Sequence, residues 1–144
     1  MTTKPSTRIV ALDVGDVRIG VAVSDPTLLL ASPFTIVHRK EGNAAGRIAQ
    51  IVQEQGSMHL LVGLPKNMDG SIGPQAKKVQ AFVEQLRDQL ADVDFVFWDE
   101  RRTTMEARAN RISAGKKKSQ RAQALDSEAA AVLLQSYLEY LRHQ

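Results

Sequence analysis

Three acids stand where this chain could do chemistry. Asp13 closes the apolar run "IVALD", Glu100 follows the run "DFVFW" inside "WDERRTT", and Asp126 lies in "LDSEAAAVLLQ". Each acid alone has an ordinary structural use. Asp13 could cap a hairpin turn through side-chain to backbone hydrogen bonds, Glu100 could pair with Arg101 or Arg102 on the surface, and Asp126 could cap the last helix or lie in its first turn. Brought together, three carboxylates repel and raise one another's pKa values unless a cation neutralises them. Oxygen donors without histidine or cysteine suit Mg²⁺ or Mn²⁺, and two such ions can activate water and stabilise the leaving oxygen of a phosphodiester. The chain has no cysteine, and His38, His59 and His143 are scattered, so no other metal set competes. Asp16, Asp69 and Asp99 are weaker candidates. Asp99 would point away from Glu100 on a continuing strand, and Asp16 is expected to cap the turn after Asp13.

The elements that must position these acids follow from periodicity and punctuation. Residues 8–13 and 19–24 read as an antiparallel hairpin with Gly15 in its turn. Residues 33–38 form a third strand, 43–55 a helix stopped by Gly56, and 59–64 a strand covered on both faces. The stretch "PKNMDGSIGP" is a loop, after which Ser71 caps a helix running to about Leu90. Residues 94–98 are a further strand, with Trp98 buried. A short basic helix over 104–113, a charged break "AGKKKSQ" and a final helix over 123–141 complete the order, the last burying Ala129, Ala130, Leu133, Leu134, Tyr137 and Leu141. The order β-β-β-α-β-α-β-α-α is an α/β arrangement that matches the ribonuclease H-like fold, a five-stranded mixed sheet flanked by helices on both faces. In such a sheet, ligands gather outside the carboxyl ends of parallel strands, where the first and fifth strands deliver Asp13 and Glu100.

At 144 residues, 43% apolar and 24% charged, the chain is one ordinary globular domain, expected over 8–142 with a flexible polar tail at 1–7. No apolar stretch approaches the roughly 20 residues of a membrane span, and the N-terminus lacks a secretory apolar segment. A cytoplasmic protein with no membrane partner is expected. The net charge of +3 is unevenly spread: residues 101–123 hold eight bases against the single acid Glu106, a balance of +7, so the remainder sums to −4. Such a block attracts polyanions. The expected nucleic-acid contacts are Lys66, Arg101, Arg102, Arg108, Lys116, Lys117, Lys118 and Arg121, reading backbone and shape because aromatic residues are few.

The blocks "LDVGDVRIGVAVSD", "VGLPKNMDGSIGPQAKKVQAFVEQL", "DERRTT" and "LDSEAAAVLLQSYL" resemble, in that order, the signature blocks of the YqgF/RuvX family, over residues 9 to 141. The resemblance implies a ribonuclease H-like nuclease that processes the 5′ end of pre-16S rRNA, also described as a Holliday junction resolvase. It implies that Asp13, Glu100 and Asp126 form a metal-dependent active site overlooked by the loop 66–73. Two positions depart from the family pattern. Asp16-Val17 stand where a small hydroxyl residue and a base are usual, and Arg102 replaces a leucine. RuvC resolvases place an acid near the end of the fourth strand, where this chain has Leu64-Pro65.

Structured RNA is therefore the favoured partner and branched DNA the alternative, with a monomer or homodimer both compatible with the sequence. A resolvase making two symmetric cuts would need a twofold dimer. Two rivals remain. Asp-x-Gly at a hairpin also opens the phosphate lobe of sugar-kinase and actin-like ATPases, which need two lobes where this length provides one. A non-enzymatic nucleic-acid-binding factor on the same fold is the other.

Overall fold

The computed structural model describes residues 8–103 and 118–144, and for 118–126 the backbone alone. Five strands form one mixed sheet in the order β3-β2-β1-β4-β5. Strands β1 (Ile9–Val14) and β2 (Arg18–Ser24) are the predicted hairpin, closed by a hydrogen bond from Gly15 N to Arg18 O at 2.9 Å. Strand β3 (Ala31–His38) continues the antiparallel half as an edge strand and starts two residues earlier than the sequence pattern suggests. Pro33 is tolerated there because an edge strand can spare a ladder donor, and the β2–β3 register shifts beside it at Val21/Ala22. Strands β4 (His59–Leu64) and β5 (Asp94–Asp99) pair parallel to β1 and to each other.

The period-2 alternation of β1 sorts its side chains to two faces. Val10, Leu12 and Val14 pack with Leu60 and Val62 of β4 against helices α1 (Ala44–Glu54) and α2 (Pro74–Arg87), through Ile48, Val52, Val79, Phe82, Val83 and Leu86. Ile9, Ala11 and Leu61 lie on the other face with Trp98, under the final helix α3 (Lys118–Arg142), through Ala130, Ala131, Leu133, Leu134 and Leu138. Near-continuous apolar strands are what a sheet covered on both faces requires.

Helix α3 is buried on more than its predicted stripe. Gln135 and Ser136 are also buried, and both are satisfied. Gln135 accepts from Ala31 N at 2.9 Å and donates to Leu29 O at 3.1 Å, and Ser136 Oγ donates to Arg102 O at 3.1 Å. Among the described residues no helix is long and apolar enough to cross a membrane.

Three helix boundaries differ from expectation by more than one residue. Helix α2 starts at Pro74 with Gly73 as its cap, because Pro is pre-set for the first helical position; Ser71 belongs to the loop instead. The same helix ends at Arg87 rather than near Leu90. Helix α3 already includes Lys118, five residues before the expected Gln123, since "KSQRAQ" holds no helix breaker. The expected helix at 104–113 lies outside the described residues.

Candidate active site

Asp13 is the fifth residue of β1, on the α3 face by the same alternation that buries Ile9 and Ala11. The turn that follows it is clamped. Arg39 Nη1 donates to Gly15 O at 2.8 Å, Arg39 N donates to Val17 O at 2.9 Å, and the guanidinium lies 5.0 Å from the Phe82 ring centre. Asp16 does not close this turn. It reaches Lys78 Nζ of α2 at 3.6 Å, because the backbone pair of Gly15 and Arg18 already provides the closing bond.

Beside Asp13 the sheet is bare. Asp13 is level with Gly20 of β2, and since Leu12 is level with Val62, the next position of β4 is Gly63. A Cβ at Gly63 would lie 2.6 Å from Leu133 Cδ1 and 3.2 Å from Glu100 Oε1. That glycine lets the Glu100 side chain and α3 both settle onto β4. An isolated glycine inside an apolar strand run is a signal of such close approach, and it is the site residue the sequence reading missed.

Glu100 opens a short 3-10 turn (Glu100–Arg102) directly after β5, and its carboxyl hydrogen-bonds with that of Asp13. Burial, then the charge of Asp13, then that hydrogen bond push Glu100 up to about 7. Two carboxyls so close hold a proton at neutral pH or give it up to a cation. The donor set is oxygen alone, which fits a hard divalent ion. Among the described residues no group of three or more potential metal ligands forms. The third predicted acid, Asp126, lies within α3, two turns before the Leu133 that packs on Gly63, and its side chain is outside the described residues.

The basic candidates separate by position. Arg101 is committed to protein contacts: its Nη2 meets Asp99 Oδ2 at 2.6 Å and its Nη1 donates to Met68 O at 3.2 Å. These bonds from Arg101, first among several causes, hold Asp99 below the usual carboxylate range, and the nearby charge of Lys66 adds to the effect. Lys66 therefore lies near Asp99, the residue before Glu100. Arg102 lies over two rings, 4.3 Å from the centre of Trp98 and 4.8 Å from that of Tyr140, in a cluster completed by Tyr137. A guanidinium over aromatic faces is held there by cation–π attraction. Arg108, Lys116 and Lys117 lie outside the described residues, and Lys118 and Arg121 are placed in the first turns of α3 by their backbone alone.

The model of the family described as "RuvX: Holliday junction resolvase" matches residues 7–140. This chain belongs to the RuvX family. A relative from Roseiflexus sp. (strain RS-1), named "Putative pre-16S rRNA nuclease", is 44% identical and covers 99% of this chain and 100% of its own. A Desulforamulus reducens relative of the same name is 42% identical, covering 92% and 96%. Among solved structures, Thermus thermophilus RuvC in complex with a Holliday junction superposes with a TM-score of 0.66 at 13% identity, covering 95% of this chain and 96% of that one. That likeness bears on the fold, and it places this RuvX chain in the ribonuclease H-like class that its element order predicts.

Proposed function

We propose that this RuvX chain is a divalent-cation-dependent nuclease that hydrolyses phosphodiester bonds in RNA and processes the 5′ end of pre-16S rRNA. The observation that carries the reading is the Asp13–Glu100 pair. Two carboxyls hydrogen-bond at the carboxyl edge of a mixed sheet, with Glu100 raised to about 7 in a site made of oxygen donors. The names of the curated relatives point to the substrate.

Asp13 and Glu100, with Asp126 from α3, are the residues that would hold Mg²⁺ or Mn²⁺. Bound there, such an ion supplies charge neutralisation at the phosphoryl group and lowers the pKa of water. An ion held there would require Glu100 to lose the proton it shares with Asp13, so binding would be favoured as pH rises through about 7. The Arg39 clamp on the Gly15 carbonyl fixes the backbone behind Asp13, and the missing side chain at Gly63 lets the Glu100 carboxyl settle onto the sheet beside it. Lys66 contributes a point charge to a flanking phosphate.

The test incubates labelled precursor RNA and a four-way DNA junction with Mg²⁺ or Mn²⁺, beside Asp13→Asn and a chelator control. RNA cleavage is expected, lowered by about 10³-fold in Asp13→Asn, the scale of several kcal/mol of lost charge stabilisation. Paired symmetric nicks confined to the junction would make the protein a resolvase instead. Salt-sensitive binding of both substrates without any cut would make it a binding factor.

A further inference from the structure

The loop between β4 and α2 is far more ordered than a plain connection needs, and of its two exposed large apolar side chains, Met68 and Ile72, one stands almost wholly in solvent. Met68 is 93% exposed at its tip. Around it, Asn67 N donates to Ser71 O at 3.0 Å, Gly70 N to Asn67 O at 2.8 Å, and Asn67 Nδ2 to Ser71 Oγ at 2.9 Å. Asp69 Oδ1 accepts from Ser71 N at 2.9 Å and from Ser71 Oγ at 2.6 Å. Gly70, at φ +88°, lies against the Arg101 guanidinium, where a Cβ would come within 3.4 Å. Arg101 then fixes the Met68 carbonyl. The backbone on both sides of Met68 is thus held, and its side chain stays out in water.

Lone exposed apolar residues are common and ordinarily carry no message. This one stands on the same sheet edge as the acid pair: the loop starts directly after β4, whose Gly63 touches Glu100, and is tied to Arg101, the neighbour of Glu100. Lys66, two residues before Met68, brings the charge a phosphate needs. A thioether is polarisable and packs well on π-faces, and methionine is among the side chains that wedge between nucleic-acid bases. Holding the loop rigid in advance removes the ordering cost such a contact would otherwise meet.

We infer that Met68 is a base contact, packing on an unstacked nucleobase beside the scissile phosphate. The preferred substrate is then a nucleic acid with an unpaired nucleotide at the cut, and an intact duplex is a poor one. This rests on the nuclease reading above, and the test separates the two.

The full-length protein is titrated, in chelator, with a single-stranded RNA carrying 2-aminopurine and with the matched blunt duplex. Wild type, Met68→Ala and Met68→Leu are compared. Because Met68 is almost wholly exposed, neither substitution removes a core contact. Wild type is expected to change the 2-aminopurine fluorescence on binding the single strand. Met68→Ala should lose most of that change and bind the single strand about tenfold more weakly, a typical cost of losing one stacking contact. Met68→Leu should retain both, and duplex affinity should be the same in all three. An unchanged fluorescence response in Met68→Ala overturns the inference, and so does an equal loss of affinity for the duplex. Metal is then added. Cleavage by wild type with no Met68 effect sinks the base contact and leaves the nuclease; a Met68-dependent response without cleavage sinks the nuclease and leaves the contact.

Discussion

At the scale of single residues, the proton between Asp13 and Glu100 couples stability to pH. Glu100 is raised from 4.5 to about 7 in the folded chain, so the folded state holds a proton that the unfolded state releases from about pH 4.5 upward. Its contribution is fully present below pH 4.5 and is lost as pH rises through about 7. In chelator, denaturant unfolding should show the fold weakening between pH 5 and 7.5, with the slope flattened in Glu100→Gln. Mg²⁺ or Mn²⁺ should restore stability above pH 7 and have little effect at pH 5. A metal-independent profile would mean that the pair is only structural. The meeting of Asp13 and Glu100 was legible from sequence because each stands at the end of a strand, and strand alternation set Asp99 apart from Glu100. The engagement of Arg101 with Asp99 and the Met68 carbonyl was not legible, since it depends on where a loop 33 residues away in the chain comes to rest.

At the scale of elements, the site depends on how closely α3 lies on β4. Gly63 sets that distance, with Leu133 above it and Glu100 beside it. Gly63→Ala places a Cβ 2.6 Å from Leu133 Cδ1, and overpacking of this kind costs about 1–3 kcal/mol. Leu133→Ala, a buried truncation, should cost about 2–5 kcal/mol by itself. The double variant should then be more stable than the two separate losses imply, by about 1 kcal/mol or more in a double-mutant cycle read by urea unfolding. Additive losses would show that α3 does not rest on Gly63. The strands and the final helix were readable because their apolar spacing is long and regular. The start of α2 was misplaced because both Ser71 and the Gly73-Pro74 pair are start signals. The fixed φ of proline settles the helix on the later one, and the Ser71 hydroxyl goes to Asp69.

At the scale of the whole molecule, charge is divided between a basic segment and an acidic remainder. Residues 101–123 carry +7 and the rest −4, so a polyanion approaching the acid pair meets net repulsion except along that segment. Arg101 and Arg102 are occupied by Asp99 and by the Trp98 and Tyr140 rings. The phosphate contacts are therefore expected from the later bases, with Lys116, Lys117 and Lys118 the densest group. Each phosphate neutralised on a single strand contributes about −0.7 to the slope of log affinity against log salt. Replacing the three lysines by serine should lower that slope in magnitude by about two and weaken RNA of any sequence alike. The turnover rate at saturating RNA should stay close to wild type, because the carboxyl pair is untouched. The opposite pattern, an unchanged salt slope with a reduced turnover rate, would place these lysines in the chemistry and return phosphate binding to Arg101 and Arg102, whose guanidinium groups would then have to leave Asp99 and the aromatic rings when RNA binds.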